Sequence, residues 1–232
     1  MFHQKKKSLA PHPRRDRRQF LRYAGAGVAT AGLIMIGCDD DDQPTPDGPV
    51  DLGSGDAGVL NYAYALEQLE AAFYAAVLEG GYFANASADE KQVMADLEKH
   101  ERAHVDFFRT AINSVSTAIP DLEVDFSSID FNDRTSVLST AKAFEDLGVS
   151  AYNGAGRLLE SVDFLLIAGK IVSVEARHAA AIRDLLDSDP TSFAGDDIID
   201  GNGLDLARTP SEVLAIAGDF IRTEIDASNL PG

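Results

Sequence analysis

The chain has 232 residues, 45% of them hydrophobic, and a formal net charge of −18, which suits one domain with a leader and tails. Residues 1–37 carry a net charge of +7, which leaves −25 for the rest, a body that repels nucleic acid and anionic membrane surfaces and attracts cations. Cys38 is the only cysteine, so an internal disulfide and a cysteine-ligated iron centre are both excluded.

The leader comes first. Arg17-Arg18-Gln19-Phe20-Leu21-Arg22 has the form of a twin-arginine export signal, with Asp16 where Ser or Thr is more usual. An apolar stretch from Ala24 to Gly37 follows, too short to span a bilayer and right for a signal core. It ends in Met35-Ile36-Gly37-Cys38, which resembles a lipoprotein cleavage box with Met in place of Leu. The expectation is a signal peptide over 1–37 and a lipid-bearing Cys38 as the first mature residue, so that the protein is exported and held at the cell envelope or periplasm. An acidic, Pro- and Gly-rich tether is expected over 38–58.

From Val59 the apolar period turns helical, through Leu60, Tyr64, Leu69, Phe73 and Val77 to the Gly80-Gly81 break. A second helix is predicted over 88–113. Residues 114–132, with Pro120 and several Ser and Asp, read as a long connection. Third and fourth helices are predicted over 134–159 and 162–186. Two short links and one long one imply two antiparallel hairpins joined by a crossover, an all-α four-helix bundle. Thr209-Pro210-Ser211-Glu212 is a strong helix start. It predicts a fifth helix to about Asp226 whose face of Val213, Leu214, Ile216, Phe220 and Ile221 packs on the bundle, with a tail over 227–232.

Two phrases carry the chemistry. Glu101-Arg102-Ala103-His104 and Glu175-Ala176-Arg177-His178 each set a carboxylate and an imidazole one turn apart on a helix face. Each follows a segment with a further glutamate, Glu67 or Glu145, and a tyrosine seven residues later, Tyr74 or Tyr152. Beyond residue 37 the chain has only three histidines, and two of them follow a glutamate by three positions. A single Glu-x-x-His is weak evidence; the duplicated set is strong.

Glu67, Glu101, His104, Glu145, Glu175 and His178 thus form a two-metal ligand set of hard oxygens and imidazoles, suited to two iron ions or to manganese. By analogy with such bundles, Glu101 and Glu175 bridge while Glu67 and Glu145 terminate one metal each. Burying four carboxylates without cations would be very costly, which weighs against a metal-free acid network. Tyr74 and Tyr152 are candidate catalytic residues, either hydrogen-bonding a ligand carboxylate or filling the core. Glu70 shares a face with Glu67, but its repeat counterpart is Gly148, so it reads as lying behind the ligands or on the rim. Glu98 and His100 flank the motif and fit a solvated edge, the alternative being that either touches the metal or its entry path.

The run Leu66-Glu67-Gln68-Leu69-Glu70-Ala71-Ala72-Phe73-Tyr74, with Glu101–His104, Phe144–Gly148 and Val174–Ala180, resembles the ferritin-like proteins related to plant desiccation-associated proteins. The resemblance spans about residues 59–226 and implies a ferritin-like domain with a di-iron site. Its ligand order is similar to that of rubrerythrins, without their cysteine-bound iron domain, so turnover needs an external electron donor. The leading expectation is oxidation of Fe(II) by dioxygen or peroxide, protecting the envelope under oxidative or desiccation stress. The competing one is a non-enzymatic stress protein with a structural metal. Metal ions and dioxygen or peroxide are the expected partners, with a homo-oligomer compatible, no nucleic acid, and membrane contact only through lipid on Cys38.

Overall fold

The computed structural model describes residues 48–187, 189 and 191–231. The expected leader, Cys38 and the tether up to residue 47 lie outside the described residues. In chain order the described elements are β1 (Val50–Asp51), α1 (Gly55–Glu79), the short α2 (Gly81–Asn85), α3 (Ala88–Asn113), α4 (Arg134–Ala155), α5 (Val162–Leu186), α6 (Pro210–Ala217) and β2 (Ile225–Asp226). The architecture is all-α apart from the two-residue strands. α1 packs chiefly on α3 and α4 on α5, so two hairpins close into the expected four-helix bundle.

Local chemistry explains where three of the four long helices begin. Ser87 caps α3 in a reciprocal box with Glu90, Asp133 caps α4 through the Ser136 N–H, and Ser161 caps α5 through the Phe164 N–H. α3 and α5 therefore run over the predicted residues. The first hairpin turn is less abrupt than predicted, because α2 follows Gly80 directly. Where α4 was expected to reach Leu159 it ends at Ala155 in a 3₁₀ turn over Gly156–Leu158. The Asp56 carboxylate accepts hydrogen bonds from the Glu160 and Ser161 N–H groups and so fixes the reversal into α5.

The crossover is pinned to α1 by two amides. Buried Asn61 donates to the Leu52 and Thr117 carbonyls and accepts from the Ile119 N–H. Gln68 accepts from the Leu122 N–H. Those side chains replace the water that an open loop would need.

Two expectations at the chain's ends are corrected. The tether does not extend to Gly58: Val50 and Leu52 are buried, β1 pairs in parallel with β2 (Val50 opposite Ile225), and α1 starts at Gly55. The fifth helix does not reach Asp226 either. α6 stops at Ala217 before Gly218, and the following chain extends to bond the crossover through Asp125 N–H to Phe220 O and Arg222 N–H to Glu123 O. These strand-like bonds take the backbone groups that further helical turns would have used. Val213 is buried and Phe220 stacks edge-on with Phe144, but Ile216 faces solvent, and Leu230 in the expected tail packs on the core. Gly154 admits the Arg208 backbone against α4, where a Cβ would meet the Arg208 carbonyl at 1.7 Å.

Candidate metal centre

The four long helices each deliver part of the predicted set to the middle of the bundle. Glu67 comes from α1, Glu101 and His104 from α3, Glu145 from α4, and Glu175 and His178 from α5. The four glutamates are at most 1% exposed. Their ligand atoms fall into two groups, Glu67, Glu101, His104 and Glu175 in one and Glu101, Glu145, Glu175 and His178 in the other, with the atoms of each group within 4.8 Å of one another. Glu101 and Glu175 belong to both groups, Glu67 and Glu145 to one each. His104 Nδ1 stands 3.0 Å from Glu175, 3.1 Å from Glu67 and 3.2 Å from Glu101. His178 Nδ1 stands 2.8 Å from Glu101, 3.5 Å from Glu145 and 3.6 Å from Glu175.

Closeness is not satisfaction. Glu101 Oε1, Glu145 Oε2, both oxygens of Glu175 and His178 Nδ1 are buried without a hydrogen-bond partner among the described residues. Buried polar atoms normally find partners, and five such atoms gathered in one small volume make a donor set that could hold a metal ion. The charge count agrees: four carboxylates carry −4, which two divalent ions offset.

Without ions the cluster must hold protons. Burial, and then the neighbouring carboxylates, push Glu67 and Glu70 well above the ordinary carboxyl range. Burial likewise raises Glu145, to about 8. Glu101 moves the other way, to about 2: burial opposes its charge, but contacts from His104 and His178 outweigh that cost. Burial lowers the two imidazoles, yet the surrounding carboxylates win and lift each to about 12.

Both tyrosines touch the ligands, and they do so crosswise. The Tyr74 hydroxyl on α1 donates to Glu145 on α4, and the Tyr152 hydroxyl on α4 donates to Glu67 on α1. Each therefore orients the carboxylate of the opposite half. Glu70 lies behind the ligands, 4% exposed, and not on a rim. It fills the place opened by Gly148, whose added Cβ would sit 2.9 Å from Glu70 Oε1. Glu98 pairs with Arg102 on the outer face, as a solvated edge should. His100 is exposed as well, and its Nδ1 also lies 3.0 Å from His178 Nε2. A groove of about 460 Å³ lined by Val93, Asp96, His100, Val174 and Arg177 runs over that pair and reaches both His104 and His178.

Residues 55–188 match the model of the ferritin-like domain. The chain belongs to the ferritin-like domain family. No curated protein matches it. The match covers the ferritin-like domain and leaves the desiccation-associated kinship and the rubrerythrin ligand order as expectations. In this ferritin-like domain the donor set fits a metal: buried carboxylate oxygens and imidazole nitrogens, several of them orphaned, gathered from all four helices.

Proposed function

We propose that this ferritin-like protein binds two iron ions and oxidises Fe(II) with dioxygen or peroxide at the cell envelope, as protection in oxidative or desiccation stress. Glu67 and His104 would hold one ion and Glu145 and His178 the other, with Glu101 and Glu175, which belong to both groups, shared between them; manganese suits the same donors. The observation that carries the reading is the pair of overlapping ligand groups whose orphaned atoms point at shared space. Bound iron would supply redox chemistry: two Fe(II) give one electron each, and hydrogen peroxide takes two electrons and two protons to become two waters.

The chain's own residues set the conditions. Tyr74 and Tyr152 hold the two terminal carboxylates in place and act as positioning groups for them. The groove over His104 and His178 admits a small reactant. Beyond Tyr152 an apolar slot between Tyr62, Leu66 and Phe108 has about 20 Å³ of open volume, enough for roughly one water. The slot itself is too small for an organic substrate.

Metal analysis together with oxygen and peroxide consumption tests the proposal. Two ions per chain and metal-dependent consumption are expected, with Glu101→Ala or Glu175→Ala most damaging because each removes a bridge. Metal that binds and never turns over would favour the non-enzymatic stress protein. No stoichiometric iron or manganese under loading conditions would end the di-metal reading. We further propose export on the Arg17-Arg18 signal and a lipid on Cys38, which mass spectrometry of the mature N-terminus checks. An unmodified peptide spanning Gly37-Cys38 in exported protein would refute the lipid.

A further inference from the structure

We infer that His100 is a positioning residue that orients His178 and makes the two metal positions unequal. The inference rests on the metal-centre reading above and goes beyond it. His100 stands exposed on α3, one turn before His104, and its Nδ1 meets His178 Nε2 at 3.0 Å with hydrogen-bond geometry. The two rings are parallel within 4°, their centroids 5.2 Å apart.

Proton placement follows from what His178 faces. Its Nδ1 points at Glu101, Glu145 and Glu175, and a nitrogen that binds a metal carries no proton. The ring's remaining proton is then on Nε2, which donates to His100 Nδ1. One bond thus sets both the tautomer and the plane of the ligand ring, the task a carboxylate or carbonyl commonly performs for a metal-binding histidine.

His104 lacks this support. Among the described residues its hydrogen-bond contacts run through Nδ1 alone, to Glu67 and Glu101. The repeat explains the difference. His104 corresponds to His178, so the residue corresponding to His100 is Val174. Val174 lines the same groove but has no polar side-chain atom to offer. The position of Glu101, Glu145, Glu175 and His178 is therefore the better organised and fills first.

The test uses the whole protein and two probes. In metal-free, ¹⁵N-labelled protein, a through-hydrogen-bond ¹⁵N–¹⁵N coupling should join His178 Nε2 to His100 Nδ1 and vanish in His100→Phe, which keeps a flat ring without an acceptor. Titration with Co(II) alone, followed by its visible spectrum, should show two ions binding in steps to the wild type. His100→Phe should weaken one step by about 10- to 100-fold and leave the other unchanged. His100→Asn, whose amide oxygen replaces the acceptor, should restore most of the loss. Because His100 is exposed, these variants retain the core. Two bound ions with no coupling, or His100→Phe weakening both steps equally or neither, would overturn the inference alone. A wild type that takes up no Co(II) would overturn the metal-centre reading and the unequal affinities with it, and the coupling would still report on the bond itself.

Discussion

The metal-free protein should lose stability as pH rises from 5 to 7, the reverse of ordinary acid denaturation. Glu67, Glu70 and Glu145 keep their protons in the folded state to higher pH than in the unfolded chain. Each therefore stabilises the fold fully below its unfolded value, and that contribution drains away as pH climbs through the folded value. For Glu145 the window runs from 4.5 to about 8. One proton held differentially costs about 1.4 kcal/mol per pH unit, so Glu145 alone removes about 2–3 kcal/mol between pH 5 and 7. Glu67 and Glu70 act in the same direction. So do His104 and His178 from 6.5 to about 12. Glu101, lowered to about 2, contributes above 4.5 and is lost only as pH falls towards 2, so it leaves this window untouched. Urea unfolding at pH 5, 6 and 7 measures the slope; with a denaturant sensitivity of about 2 kcal/mol per molar, the midpoint should fall by on the order of 1 M. Glu145→Gln should flatten the slope by about one proton. Metal should reverse the trend, since its ligands bind deprotonated and saturation at a hundred times Kd adds about 2.7 kcal/mol. A flat or rising metal-free profile, or an unchanged slope in Glu145→Gln, would refute the reasoning.

Four further outcomes rest on particular contacts. Gly148→Ala should push aside Glu70 Oε1, 2.9 Å from the new Cβ, and this crowding should cancel the gain of about 0.5–1 kcal/mol that alanine brings to a helix interior; in Glu70→Ala the same substitution should show that gain, a coupling that thermal or urea unfolding of the full cycle reads directly. Glu70→Ala alone should leave the metal count at that of the wild type, whereas Glu101→Ala should not. Tyr152→Phe and Tyr74→Phe should keep the ion stoichiometry and weaken affinity about tenfold, because each frees one terminal carboxylate from its hydroxyl; competition with a calibrated chelator measures it. Arg183 holds Asp146 at 2.6 Å and Asp197 at 2.8 Å, so Arg183→Ala should cost about 1–3 kcal/mol and expose the 191–200 segment to limited proteolysis.

The parts of the fold that were legible in the sequence are those with local causes. Ser87 with Glu90, Asp133, Ser161 and Thr209 with Glu212 are caps, and a cap acts over three residues, so the helix starts could be read without a partner. The i to i+3 spacing of Glu101 with His104 and of Glu175 with His178 is equally local, and it brought the ligand candidates together in advance. What was not legible depends on residues far apart. β1 pairs with β2 across most of the chain, and two residues of strand have too little periodicity to announce themselves. The end of α6 is decided by the crossover that captures the chain after Gly218. His100 looked solvated because its own helix exposes it; its partner sits on another helix. The tyrosines left a trace, the same seven-residue step after Glu67 and Glu145, but only the folded bundle reveals that each serves the other's glutamate.

That crosswise exchange says why the two halves work together. If each tyrosine bonded the glutamate of its own helix, that carboxylate could be oriented within one hairpin. Instead Tyr74 fixes Glu145 and Tyr152 fixes Glu67, so neither terminal carboxylate is oriented until α1 and α4 have met. The shared Glu101 and Glu175 impose the same condition on α3 and α5. Assembly of the bundle and completion of the site are then one event, and a metal that binds only the assembled site stabilises the whole fold and not one hairpin. Among the places where the repeat is broken are His100 against Val174 and Glu70 against Gly148. His100 contacts His178, and Gly148, which makes room for Glu70, lies one turn beyond Glu145. Both departures thus adjoin the position of Glu145 and His178. A duplicated frame builds two positions of the same kind, and the unduplicated residues are what let them differ.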